Sequence, residues 1–190
     1  MSLVRAVPML TFAAALLGAL PAVCAPAPAW TVDKQASRLA FAGEMNGQRF
    51  NGAFRRWNAK IAFDPKNLAG SSVLVTVDAA SAVTGDATRD EALPSDDWFA
   101  AKAFPNATFA ARSFKDLGGG RYQAIGVLTL RGVARPLVLP FQLSISGPVA
   151  KMQARLVLNR AAFGVGRGQF AGPEPVALQV PLDISVTARR

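Results

Sequence analysis

The stretch VALQVPLDISVT, residues 176–187, places an apolar side chain at every second position: Val176, Leu178, Val180, Leu182, Ile184 and Val186. Gln179, Asp183, Ser185 and Thr187 lie between them. Successive side chains of a strand point to opposite faces, so this segment has one buried and one wetted face. That is the pattern of an antiparallel sheet packed on one side only. It recurs at Leu137, Leu139, Phe141, Leu143 and Ile145, and at Met152, Ala154, Leu156 and Leu158, the latter interleaved with Lys151, Gln153, Arg155 and Asn159. Val73, Val75 and Val77 form a shorter copy.

Further strands are expected at Arg38–Ala42, at Arg49–Phe63 with a bend near Arg56, at Thr108–Lys115 and at Arg121–Leu130. Turn signals separate them: Met45-Asn46-Gly47, Asp64-Pro65-Lys66-Asn67, Gly118-Gly119-Gly120, Arg131-Gly132 and Gly147-Pro148. No long helical pattern and no domain break interrupts the series. About eight long strands with one apolar face each must hide that face in a sandwich or a closed barrel. Long strands joined by short hairpins favour the barrel, and an eight-stranded barrel has room for one small ligand.

Residues 1–25 are read as a secretory signal peptide outside the fold. Arg5 is the only charge before Asp33, an apolar run follows it, and Val23 and Ala25 fit a small-residue cleavage site. Pro8 and Pro21 leave a helical run too short to span a membrane. Cleavage there makes Pro26 the first residue of an exported, periplasmic protein, with the Pro/Ala run 25–29 as a tether. Cys24 is the single cysteine, so the mature chain has no disulfide. The formal charge of +9 is compatible with a solvated surface or with peripheral contact to an anionic membrane surface. Nucleic acid is a poor partner for an exported chain with no recognisable binding motif.

The chain has no histidine. Without His or a mature Cys, the usual zinc and copper sites have no ligands, and the Ser-His-Asp and Cys-His arrangements are excluded. The sequence shows no P-loop and no calcium loop. Gly164-Val165-Gly166-Arg167-Gly168 is glycine-rich but precedes no helical pattern. The reading is therefore of a binding protein, not an enzyme, with no catalytic residue, metal or cofactor.

The segment DWFAAKAFPNATFAARSF, residues 97–114, carries Phe99, Phe104, Phe109 and Phe114 at a spacing of five. That spacing suits neither helix nor strand. It resolves into two elements joined at Pro105: a short helix Asp97–Ala103 capped by Ser95, then a strand. Trp98, Phe99 and Phe104 are then placed either to cover one end of the barrel as an aromatic lid or to staple a surface helix to the core.

Several motifs in fixed order resemble the YceI-like, polyisoprenoid-binding family. They are Trp30-Thr31-Val32-Asp33 with Ser37, Phe50-Asn51-Gly52-Ala53-Phe54, Ile61-Ala62-Phe63-Asp64-Pro65 and Arg89-Asp90 with Leu93. Asp97-Trp98-Phe99, Pro105-Asn106-Ala107-Thr108-Phe109, Gly126-Val127-Leu128-Thr129-Leu130 with Gly132-Val133, and Arg160 with Phe163-Gly164-Val165-Gly166 complete the set. The resemblance covers Trp30 to about Ala188, within a domain taken as residues 30–190. It implies an elongated, lipocalin-like, eight-stranded antiparallel barrel with a short capping helix. It also implies an apolar tunnel for a long isoprenoid lipid, such as a quinone tail or a polyprenyl phosphate, and frequent homodimers. Ala100 and Ala134 depart from the family pattern, and the lack of histidine removes any head-group contact that depends on one.

Parity and composition nominate Phe50, Phe54, Phe99, Phe109, Leu128, Phe141, Leu156 and Phe163 as tunnel lining, with Trp98 beside Phe99 at the covered end. Plain core packing is the competing role for each. Arg160 is read either as a contact to a polar head group or as half of a buried ion pair with Asp90 or another acid, the ion pair being favoured. A second reading of the whole chain is an envelope stress or interaction module, with a solid barrel core and a partner-binding outer face.

Overall fold

The computed structural model describes residues 25–190. The signal peptide expected at 1–25 lies, apart from Ala25, outside the described residues. Ten strands and one α-helix follow: β1 (Ala29–Met45), β2 (Gln48–Phe54), β3 (Trp57–Ala62), β4 (Ser72–Asp78), β5 (Ala82–Val83), α1 (Ala87–Ala92), β6 (Asn106–Gly118), β7 (Arg121–Leu130), β8 (Val133–Ser146), β9 (Val149–Asn159) and β10 (Gln179–Arg189). Every pairing is antiparallel, and β10 returns to pair with β1, closing the sheet into a barrel. β2 and β3 are two halves of one stave: β2 pairs with the end of β1 (Met45 opposite Gln48) and β3 with its start (Ala29 opposite Ala62). The break between them falls at Arg55-Arg56, as the sequence suggested. β4 and β5 likewise share a stave, so the closed wall has eight positions.

Hairpin residues set the register. Asn46 and Gly47 (φ 51° and 73°) turn β1 into β2, and Arg131 and Gly132 (φ 50° and 74°) turn β7 into β8. Positive φ at both central residues matches the twist of the flanking strands. Arginine is an unusual choice there. Its backbone is secured from outside the turn, because the buried Arg131 side chain donates from Nη2 to the Asp96 carbonyl at 2.5 Å.

Three local expectations need correction. The strand read as Arg38–Ala42 is part of a β1 that begins at Ala29. Residues 25–29 are no loose tether: Ala27 is buried, its N–H donates to Gly70 at 3.1 Å, and Phe63 donates to Pro28 at 3.1 Å. The helix expected at Asp97–Ala103 is a series of turns, because Ala100 has a left-handed backbone (φ 48°). The Asp97 carbonyl serves no helix. It accepts the N–H groups of Gly166 and Arg167, each at 2.9 Å. The α-helix is instead α1. Asp86 caps it by accepting from the Arg89 N–H at 3.0 Å, and Asp90 supplies the acid in the first turn.

Candidate functional site

The inward residues of the eight staves enclose a cavity of about 290 Å³. Its lining is apolar except for Thr108 and Arg160. Among the described residues, no large side chain is fully buried. Leu128, Leu137, Leu156, Leu182 and Ile184 face inward and are nevertheless only half-buried, because they border open space. The core is hollow, which departs from the packed interior of the solid-barrel reading.

Two apolar clusters close the ends. One joins Trp30, Phe63, Phe109, Phe114 and Tyr122. There Phe63 meets the rings of Phe114 and Tyr122 edge-on at 5.3 and 5.6 Å, and Tyr122 stacks on Phe141 at 5.5 Å. The other joins Phe41, Phe99, Phe163 and Val165, with Phe54 between Phe41 (5.4 Å) and Phe99 (5.8 Å). Such pairs add about 0.5–1.5 kcal/mol beyond their buried area. Leu128 packs against both clusters and so marks the middle of the cavity.

Glycine lets aromatic rings lie flat on the wall. Phe41 sits opposite Gly52, and Phe50 opposite Gly43. A Cβ at Gly52 would lie 2.3 Å from the Phe41 ring, and one at Gly43 would lie 2.3 Å from the Phe50 ring. Two cross-strand pairs thus give two aromatic surfaces without thickening the barrel.

All ten residues nominated from sequence border the cavity: Phe50, Phe54, Trp98, Phe99, Phe109, Leu128, Phe141, Leu156, Arg160 and Phe163. They do not gather at one point. Phe109, Phe141 and Leu156 belong to the Trp30–Tyr122 end, whereas Phe50, Phe54, Trp98, Phe99 and Phe163 belong to the other. Phe104 is 38% exposed and lies against Gly132, away from the cavity. Sequence reasoning missed Phe63, Phe114 and Tyr122, since no one-dimensional signal shows that β6, β7 and the end of β3 converge at one end.

Arg160 adopts neither role foreseen for it. It is 4% exposed and has no carboxylate partner. Nε donates to Ala177, Nη1 to Val165 and Phe170, and Nη2 to Gly172 and Val176, over 2.6–3.1 Å. A guanidinium has five N–H donors. All five end on backbone carbonyls of the segment that leads from β9 to β10, and none remains for a head group. Burial alone pulls its pKa below the ordinary arginine value. Asp90 accepts instead from the Thr84 hydroxyl (2.7 Å) and from the N–H groups of Thr84 (2.6 Å) and Gly85 (3.2 Å). The Thr84 hydroxyl is the leading cause that holds its carboxyl below the usual range. Trp98 lies under the Arg160 guanidinium (5.4 Å) and against Phe170 (5.1 Å), which ties the 97–104 turns to the same segment.

A closed antiparallel barrel around an apolar hollow, with the cation that lines it spent on the backbone, is the architecture of a small ligand-enclosing β-barrel. Within that class the particular family is shown by the sequence. The chain belongs to the YceI-like domain family, whose profile matches residues 30–188. A UPF0312 protein of Vibrio cholerae is 36% identical over 88 residues, covering 46% of this chain and 47% of the relative. The chain thus matches about half the length of that relative. The crystal structure of Burkholderia cenocepacia BcnA is similar with a TM-score of 0.79 at 30% identity, over 82% of this chain and 98% of that one. A polyisoprenoid binding domain from Saccharophagus degradans, implicated in plant cell wall breakdown, shares the fold with a TM-score of 0.65 at 18% identity, over 84% of this chain and 97% of that one.

Proposed function

We propose that this protein holds a long isoprenoid lipid, a quinone tail or a polyprenyl phosphate, in its barrel, and that it carries or sequesters that lipid in the periplasm. The observation that carries the reading is the hollow interior, whose lining is apolar apart from Thr108 and Arg160. Each CH₂ buried there contributes about 0.8 kcal/mol before ordering costs, so a chain of several isoprene units binds without a polar anchor. Family membership over residues 30–188 and the fold shared with a polyisoprenoid binding domain support the same ligand class. The reading asks no chemistry of the chain, no metal and no cofactor beyond the lipid itself. Export rests on the apolar leader with Val23 and Ala25. A formal charge of +9 favours peripheral contact with an anionic membrane surface, and pairing into homodimers follows the family.

The test is organic extraction of the protein purified from its native envelope, followed by mass spectrometry. A stoichiometric polyprenyl species is expected. Protein that is lipid-free, and that takes up no polyprenyl chain when offered one, refutes the reading.

A further inference from the structure

The wall of the barrel is unzipped between β8 and β9. The ladder between β8 and β9 runs from Ser146–Val149 to Phe141–Ala154 and stops. Both strands continue. β8 remains paired with β7 as far as Val133, and β9 remains paired with β10 as far as Asn159. Past Phe141 the two strands therefore belong to neighbouring staves without being laddered to each other.

The sequence of β8 explains where the ladder ends. Leu143 donates its N–H to Gly120, on the β7 side, at 2.8 Å. Backbone N–H groups alternate between the two edges of a strand, so residues 136, 138 and 140 present theirs toward β9. Two of those three are proline, Pro136 and Pro140, which have no N–H to give. Pro140 is the first residue beyond the last pair. Proline inside a wall strand is otherwise confined to edges and bulges, and here it makes an edge within a closed barrel.

The unzipped stretch is apolar toward the cavity, and outside it exposes two valines beside Arg155 and Asn159. Leu137, Leu139, Leu156 and Leu158 line the cavity from within. On the outside, Val138 is 48% exposed and Val157 is 58% exposed. At the far end the gap is bounded by one side-chain contact, Arg135 Nε to the Ala162 carbonyl at 2.6 Å.

We propose that this seam is a lateral port through which an apolar chain passes between the outside and the cavity, with the Arg135–Ala162 contact as its outer boundary. The port rests on the reading that the cavity holds such a chain. Sideways passage there breaks few ladder hydrogen bonds, and the charged groups at its rim are Arg135 and the Arg155–Asp183 ion pair (2.8 Å).

The experiment offers fluorescently tagged geranylgeraniol in phosphatidylcholine vesicles and follows both the rate of uptake and the final loading. With the leader and its Cys24 removed, the protein has no other cysteine, and Val138→Cys and Val157→Cys are joined by a short bis-maleimide. Ser144→Cys and Lys151→Cys, which face each other in the intact ladder, are joined as the control. A second variant, Pro136→Val with Pro140→Val, returns two donors to the seam. Joining the seam, or restoring its donors, is expected to slow uptake by about tenfold or more, since added backbone hydrogen bonds must break at each passage. The control is expected to load at the wild-type rate. Wild-type speed in both the joined seam and the proline variant overturns the port and leaves the binding reading standing. Failure of the unmodified protein to take up the probe overturns the binding reading, and the port with it.

Discussion

Replacing Arg160 by methionine removes a buried guanidinium and keeps an apolar stem of similar length. Five hydrogen bonds from a charged donor disappear, and the carbonyls of Val165, Phe170, Gly172, Val176 and Ala177 lose their partner. At about 1.5–3 kcal/mol for each bond to a charged group, the gross loss is about 7–15 kcal/mol. Removing the charge returns its desolvation cost, several kcal/mol for a group this deeply buried. Carbonyls of a surface segment also regain water. We expect a net loss of about 4 kcal/mol, taken locally: the segment from Gly164 to Leu178 detaches while the barrel stays closed. Arg167 is the only trypsin-sensitive residue between Arg160 and Arg189, so it reports on that opening. In wild type its N–H is held by Asp97. When opening is fast relative to cleavage, the cleavage rate tracks the open population, and about 4 kcal/mol allows up to about a thousandfold acceleration. Arg160→Lys, with three donors against five carbonyls, is expected to fall between the two. The assay is limited trypsinolysis with mass analysis of the fragments, run beside thermal unfolding. Equal cleavage at Arg167 and equal midpoints in Arg160→Met and wild type would refute the idea that Arg160 holds this segment to the barrel.

Two further outcomes follow from the same geometry. Leu128→Trp puts bulk at the middle of the hollow, where both end clusters meet. It is expected to abolish chain loading while costing less than the roughly 1–3 kcal/mol typical of overpacking a filled core. Full loading together with a large fall in the unfolding midpoint would mean that the space is not there. Tyr122, the sole tyrosine, has its phenol pushed above the ordinary value, first by burial and then by the charge of Asp116. A raised folded-state pKa contributes stability that is fully present below about pH 10 and is lost as pH rises through the folded value. Phenolate absorbance is therefore expected to appear above the normal tyrosine range and together with unfolding. Its appearance at the ordinary value in a folded protein would contradict the burial.

The sequence by itself determined the wall. Alternation at Val180–Val186, Leu137–Ile145 and Met152–Leu158 fixes which side of each strand faces inward, because the side-chain period of a strand is two and permits no other solution. It also determined the apolar character of the interior, which the nominated aromatic and aliphatic residues were found to border. Its errors fell where backbone partners are remote. Ser95 looked like a helix cap, and the better cap, Asp86, lay nine residues earlier beside Gly85. The carbonyl of Asp97 was claimed by Gly166 and Arg167, which no local propensity could register. Arg160 looked like a partner for Asp90 because charge pairing is readable from composition, whereas a nest of five carbonyls is not. Only the tertiary structure decided that the barrel is hollow, that its aromatics divide between two ends, and that the ladder between β8 and β9 stops at Pro140. Each of these depends on how strands distant in the chain come to share an edge or a layer, and parity along one strand says which face a residue takes but not what stands across from it.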